Sequence, residues 1–239
     1  MKRLIIFCIP FLFLASCNVL DKQPLPSITP ENFFTSADDA EAALTAAYDA
    51  LQQTGVYGQD LNVVGEMPSD NVTSSNGDVN AMERLIWTPL TSQMNNTFQH
   101  AYIGINRANA VLRYVPAISM NETRRNQILG EARFLRALHY FNLVRMYGGV
   151  PLRLEPTESG DPGVVALARS TADQVYAQIN TDLQQAEQLT AATFGGQTAN
   201  RTRIIKTAVN ALQARAYLTQ RQWTEAATAA NKVITSGVY

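Results

Sequence analysis

The chain has 239 residues, is 46% apolar and 16% charged, and carries a formal net charge of −1. That balance suits a globular protein with a sizeable core and excludes a long disordered chain or a basic nucleic-acid binder. Its only cysteines are Cys8 and Cys17, so beyond position 17 there is no thiol for a disulfide or a metal centre, and packing must hold the fold.

In chain order, Lys2-Arg3, the apolar run LIIFCIPFLFLA and the small pair Ala15-Ser16 ahead of Cys17 have the layout of a secretory signal. The run is about a dozen residues, short of the ~20 that a membrane span needs. The tetrapeptide Leu14–Cys17, LASC, resembles a bacterial lipobox. The expectation is a signal peptide over 1–16, removed ahead of a lipidated Cys17. Residues 17–28, with Pro24 and Pro26 and no periodicity, read as an extended tether.

Helical signals dominate the rest. Ser36 with Asp39 has capping-box spacing before ADDAEAALTAAYDALQQ, in which Ala40, Leu44, Ala47 and Leu51 share a face. A helix is predicted from about Ser92 to Tyr114. Ser119 with Glu122, and Ser170 with Asp173, stand before further periodic runs. The second of these places Val175, Ile179, Leu183 and Ala186 on one face. Two more helices are expected around Ile204–Thr219 and Thr224–Thr235. There, Ala214 and Tyr217, then a short turn, then Trp223, Ala226 and Val233 resemble a tetratricopeptide repeat, in which small residues let antiparallel helices meet. No alternating strand pattern of useful length occurs. The predicted class is all-α: a TPR-like array of antiparallel helix pairs in a right-handed superhelix, with one long irregular loop.

That loop is Gly55 to Pro89, rich in Asn, Asp, Ser and Gly. Loops of this length in compact domains usually carry function. Trp87 is a candidate for stacking on a pyranose ring, and Asp70, Asn71 and Asn76 for hydrogen bonds to hydroxyls. The competing reading makes Trp87 an anchor of the loop and the polar residues turn-formers.

The densest stretch is GEARFLRALHYFNLVRMYGGVP, residues 130–151. At about 100° per residue its apolar side chains cover the whole wheel, and Arg133, Arg136, His139 and Arg145 fall between them. It has no wide polar face of the kind a membrane-surface helix shows. A central helix is predicted, with its Arg residues tying neighbours together and Glu131 pairing with an Arg from another element. Gly148-Gly149 and Pro151 should stop it.

This stretch closely resembles the hallmark helix of the SusD/RagB-like outer-membrane lipoproteins of Bacteroidetes. LASC with LDKQP (Leu20–Pro24), FFTSADDAEAALTAAYDAL, SDN (Ser69–Asn71), YIGINRANAVL (Tyr102–Leu112), VYAQINTDLQQAEQL and the segment from Lys206 onward match the same family in the same order. Two positions depart from it: Phe98 stands where a Trp is usual, and Asn200–Lys206 is looser than the usual Gly-Arg-rich turn. The resemblance implies that 29–239 is the N-terminal α-helical domain of a longer protein, with the family's C-terminal half absent after Tyr239. It also implies a lipid-anchored, surface-exposed outer-membrane protein that captures a nutrient glycan or peptide for a SusC-like TonB-dependent transporter. No cofactor, no nucleic acid and no chemistry on the ligand are expected.

The residues add little in favour of an enzyme. His100 and His139 lack metal-ligand spacing, and no phosphate loop, dinucleotide fingerprint or Gly-x-Ser-x-Gly is present. Asp38-Asp39 falls in a helix first turn, where the dipole favours acids, rather than forming a glycosidase pair across a cleft. The alternative function is a TPR-type scaffold lipoprotein of envelope assembly that binds proteins.

Overall fold

The structure, a computed structural model, describes residues 29–69, 71–196 and 202–238. The signal segment, the tether, Cys17 and Asp70 therefore lie outside the described residues. Among the described residues every regular element is helical, and no helix is long and apolar enough to cross a membrane. A short helix, α1 (Pro30–Phe33), forms by itself, with the Thr29 N–H donating to Asn32 Oδ1 at 2.8 Å. The main unit begins at Phe34.

Helix α2 (Ala37–Asp49) starts at the predicted capping box: Asp39 N–H donates to Ser36 Oγ at 3.3 Å, and Ser36 N–H donates back to Asp39 Oδ2 at 2.8 Å. Ala40, Ala43, Leu44 and Ala47 are buried. The helix tightens into a 3₁₀ turn at Ala50–Gln52, which buries Ala50 and leaves the predicted Leu51 at the margin.

The stretch Gly55–Pro89 is more regular than expected. It contains most of a π-turn (Thr54–Gly58) and two short helices, α3 (Asp60–Glu66) and α4 (Gly77–Glu83). Their few apolar anchors, such as Met67 and Met82, are too sparse to show a period. Gly55 is required where it stands: a Cβ would fall 2.3 Å from Asn96 O, and its N–H donates to His100 Nδ1 at 2.8 Å.

The long helices α5 (Ser92–Tyr114) and α6 (Glu122–Tyr147) follow, then a single turn, α7 (Pro162–Val165), and α8 (Ala172–Leu189), α9 (Lys206–Thr219) and α10 (Trp223–Ser236). Two caps differ from expectation. Asn121, not Ser119, caps α6, accepting from Arg124 N–H at 3.0 Å; its short amide closes the first turn two residues further on. Thr171 with Gln174 caps α8, one residue after Ser170 with Asp173. Ser170 is committed elsewhere, since its N–H donates to Val150 O at 3.2 Å. Its backbone also lies so close to Gly149 that a Cβ there would sit 2.0 Å from Ser170 O. Gly148 ends α6 at φ +70°, as the double glycine predicts.

Each long helix packs on the next. Helix α2 lies on α5 and α6, α5 on α6, α6 on α8, α8 on α9, and α9 on α10. A turn of three residues joins α9 to α10, with Arg221 at φ +59°, which forces an antiparallel pair. Ala216, Ala226 and Ala229 are buried in these helices, whereas Ala214 is half-buried and Trp223 exposed. Helix α6 is central and buries Ile128, Leu135, Tyr140, Phe141 and Leu143, each large apolar side chain contributing about 1.5–3 kcal/mol.

Candidate functional site

Helix α4 ends in a way that throws the next residues outward. Ile86 N–H donates to Ala81 O at 2.9 Å and Leu85 N–H to Met82 O at 3.0 Å, the two bonds of a Schellman stop. Leu85 occupies the left-handed position at φ +57°, where glycine is usual. Leu85, Ile86 and Leu90 point into solvent, and Trp87 is 41% exposed.

Trp87 stands between two hollows. On one side Trp87, Thr88, Pro89, Met94, Asn95, Phe98 and Tyr147 enclose about 340 Å³. On the other, Trp87, Val64, Pro68, Met82, Met94, Arg145 and Met146 enclose about 230 Å³. The walls are rigid: Phe98 meets Tyr147 edge-on at 5.5 Å and tilts against Tyr102 at 4.8 Å, and Tyr147 Oη donates to Met94 O at 2.6 Å. Burial pushes the Tyr147 phenol up to about 12, so it stays neutral. An apolar shelf with an exposed indole and an amide, Asn95, beside it suits a sugar ring's flat face and hydroxyl edge.

The predicted polar residues do not join this groove. Asn76 Oδ1 accepts from Val79 N–H at 3.4 Å and caps α4. Asn71 is exposed in a turn with its N–H on Ser69 Oγ at 3.3 Å. Neither lines the hollows at Trp87. Reasoning from sequence missed Asn95, Phe98, Met94, Arg145 and Tyr147. The only signal was indirect: Phe98 and Tyr102, four apart on a predicted helix, had to share a face.

The charged residues of α6 hold the fold. Asp182, fully buried on α8, accepts from Arg136 Nε at 2.9 Å and Nη2 at 2.7 Å, and from Arg133 Nη1 at 3.3 Å. Glu131, also fully buried, accepts from Arg203 Nε at 2.9 Å, Arg124 Nη1 at 3.0 Å and Tyr48 Oη at 2.5 Å. Burial, reinforced by the Glu131 charge, keeps the Tyr48 phenol far above its ordinary value. Asp39 is a cap, held below the carboxylate range chiefly by the Ser36 hydroxyl. Among the described residues no group of His, Cys, Asp and Glu is placed to hold a metal. His139 is fully buried against Gly104 with neither ring nitrogen hydrogen-bonded, and His100 receives the Gly55 N–H.

Past α6 the chain runs as an extended strap over 151–157, held by side chains. Tyr102 Oη donates to Pro151 O at 2.6 Å. Tyr140 Oη donates to Arg153 O at 2.8 Å and accepts from its N–H at 2.7 Å. Asn109 Nδ2 donates to Arg153 O and Glu155 O, both at 3.0 Å, and Asn106 Oδ1 accepts from Thr157 N–H at 2.7 Å.

Comparison with known proteins agrees with this architecture. A SusD-like family model, described as "Starch-binding associating with outer membrane", matches residues 20–218. SusD-like protein P38 of Formosa agariphila is 36% identical over 180 residues, 73% of this chain and 34% of that protein. A laminarin-binding SusD-like protein of known structure superposes with a TM-score of 0.74 at 28% identity, covering 83% of this chain and 43% of that one. A SusD-like carbohydrate-binding protein from Bacteroides vulgatus gives 0.76 at 26% identity, covering 86% and 46%. The chain thus spans less than half the length of these relatives. With most of its length matched by one family model and its helices arranged as in these structures, the chain belongs to the SusD-like family.

Proposed function

We propose that this chain is the helical part of a glycan-capturing lipoprotein that serves a SusC-like TonB-dependent transporter at the outer membrane. The observation that carries the reading is the Trp87 groove: an exposed indole on a rigid aromatic wall, in a member of a family whose model is described as starch-binding. The laminarin-binding relative supports a polysaccharide ligand. Trp87 would stack on a sugar ring, with Asn95 on its hydroxyls. Asn71 and Asp70 lie on the chain leading to α4 and are secondary candidates, while Asn76 serves first as a cap.

Affinity electrophoresis and titration calorimetry against starch, laminarin and charged polysaccharides test this. Covering the exposed part of the indole, on the order of 100 Å², contributes about 2 kcal/mol, so Trp87→Ala should weaken binding more than tenfold. Binding that is unaffected by Trp87→Ala refutes the site. For the anchor, Cys17→Ala should move the protein from the membrane to the soluble fraction; retention in the membrane overturns the lipobox reading.

A further inference from the structure

Two arginines from different helices converge beside this groove. Arg145 closes α6, and its guanidinium carbon lies 4.6 Å from the centre of the Phe141 ring. Arg215, on α9, lies 5.7 Å from the same ring. Both residues are exposed. Stacking on an aromatic face favours each cation, but two guanidinium groups on one ring repel each other.

Of the other half-buried or buried arginines of α6, Arg125 donates to Ile118 O at 3.3 Å, and three answer this problem with carboxylates: Arg124 has Glu41 and Glu131, and Arg133 and Arg136 have Asp182. Arg145 and Arg215 do not. Among the described residues neither takes part in an ion pair. Arg145 has one hydrogen bond, Nη2 to Asn142 Oδ1 at 2.9 Å. Asn142 Nδ2 in turn donates to Tyr57 Oη at 3.0 Å, and the Tyr176 phenol is also within electrostatic reach. Among the described residues these groups are two cations, an amide and two phenols, with no carboxylate among them. Burial, then the Arg215 charge, makes it harder for Arg145 to hold its proton, a penalty that a bound anion removes.

Arg145 also lines the smaller hollow at Trp87. A neutral sugar has no need of paired guanidinium groups, whereas a carboxylate or sulfate matches their planar forks. We infer that Arg145 and Arg215 form an anion-binding arm of the Trp87 groove, so that the favoured ligand is an acidic polysaccharide bearing uronate or sulfate groups. This rests on the reading that the groove binds glycans.

The test uses the full chain in mild detergent, titrated with polygalacturonate, dextran sulfate, laminarin and starch. An acidic polymer should bind at least about tenfold more tightly than either neutral one, with the gap shrinking as salt is raised. Arg145→Gln and Arg215→Gln should each cost about tenfold for the acidic polymer, the loss of one charge-assisted contact, a larger loss than either causes for a neutral one. Arg145→Lys should retain most of the preference, and Arg113→Gln, an exposed arginine elsewhere on α5, should change nothing. Which acidic polymer wins separates carboxylate from sulfate recognition. Equal binding of acidic and neutral polymers, or a preference that survives the Arg145→Gln/Arg215→Gln pair, overturns the inference. If neutral glycans still bind through Trp87, only the anion arm falls; if no polymer binds, the glycan reading falls with it.

Discussion

The carboxylate of Asp182 is a point at which a single change strikes the contact between α6 and α8. It is fully buried, and both oxygens are occupied by Arg136, itself 5% exposed. Asp182→Asn keeps the volume but removes the charge and turns an NH₂ toward a guanidinium. Arg136 would keep one bond, now to a neutral amide oxygen, beside its Nη1 bonds to Asn109 Oδ1 at 2.9 Å and Leu154 O at 3.2 Å, and would lose the other together with the ion pair. Breaking a buried pair by removing one partner costs about 3–5 kcal/mol, a large part of the roughly 5–15 kcal/mol available to a domain. At about 2–4 °C per kcal/mol for a chain of this size, Tm should fall by on the order of 10 °C. Urea denaturation followed by circular dichroism measures the loss. The cycle of Asp182→Leu with Arg136→Met sharpens it: in the double variant neither of these two charges is left buried without its partner, and only the part-exposed Arg133 loses a carboxylate, so the double should be at least about 2 kcal/mol more stable than the Asp182→Leu and Arg136→Met losses added together. A cost below about 1 kcal/mol for Asp182→Asn, or singles that simply add, would refute the claim that this pair ties α6 to α8.

Two further outcomes test the α5–α6 contact. An added Cβ at Gly104 would lie 2.1 Å from His139 Nε2, in a ring with no room to retreat; Gly104→Ala should cost about 1–3 kcal/mol in thermal melts, and His139→Ala in the same chain should relieve the clash. His139 also sets a pH dependence. Burial lowers its pKa from 6.5 to about 4, so below the unfolded value the unfolded chain binds the proton first. Its stability term is complete above about pH 6.5 and is lost as the pH falls toward 4, about 3 kcal/mol in all. His139→Leu should flatten that limb of the stability–pH curve; an unchanged limb means that other groups produce it.

The fold was legible because its cause is periodic. Helix α5 was bounded at Ser92 and Tyr114 from pattern alone, and the all-round apolar wheel of 131–147 correctly placed α6 in the centre. Arg133 and Arg136 were correctly read as ties, whereas Arg145 bonds only Asn142 within α6, and Glu131 takes Arg203 from outside α6, though from the bend before α9 rather than from a helix. The caps shifted where two competent residues stood close together. Asn121 outcompeted Ser119, and Thr171 replaced Ser170 once the Gly149 packing had fixed the Ser170 backbone. Helices α3 and α4 escaped notice because helices of seven residues give a periodic signal no room to repeat. For the candidate groove, Trp87 was named from the sequence but its neighbours were not. Its partners Met94, Phe98, Arg145 and Tyr147 come from α5 and α6, and only the tertiary contact of those helices brings them to one indole.

The family signature and the ligand question separate for a physical reason. Tyr102, Asn109, Arg136 and Tyr140 lie in the motifs that reveal the family, and all four direct polar atoms to backbone groups of the 151–157 strap. The strap has no strand ladder of its own, and a buried unpaired carbonyl or N–H costs about 1–3 kcal/mol. Any chain that routes this segment across α5 and α6 needs donors and acceptors at those positions, whatever it binds. Burial keeps the Tyr140 phenol at about 12, so the hydroxyl can both donate and accept across the working pH range. The groove residues face no such demand. Trp87, Asn95 and Arg145 are free of the strap and partly or fully exposed. The residues that identify the fold are therefore committed to closing it, whereas the exposed residues of the proposed groove around Trp87 can change without cost to the strap, so that under the proposed reading the same scaffold would present a neutral shelf or, with Arg145 and Arg215, a charged one.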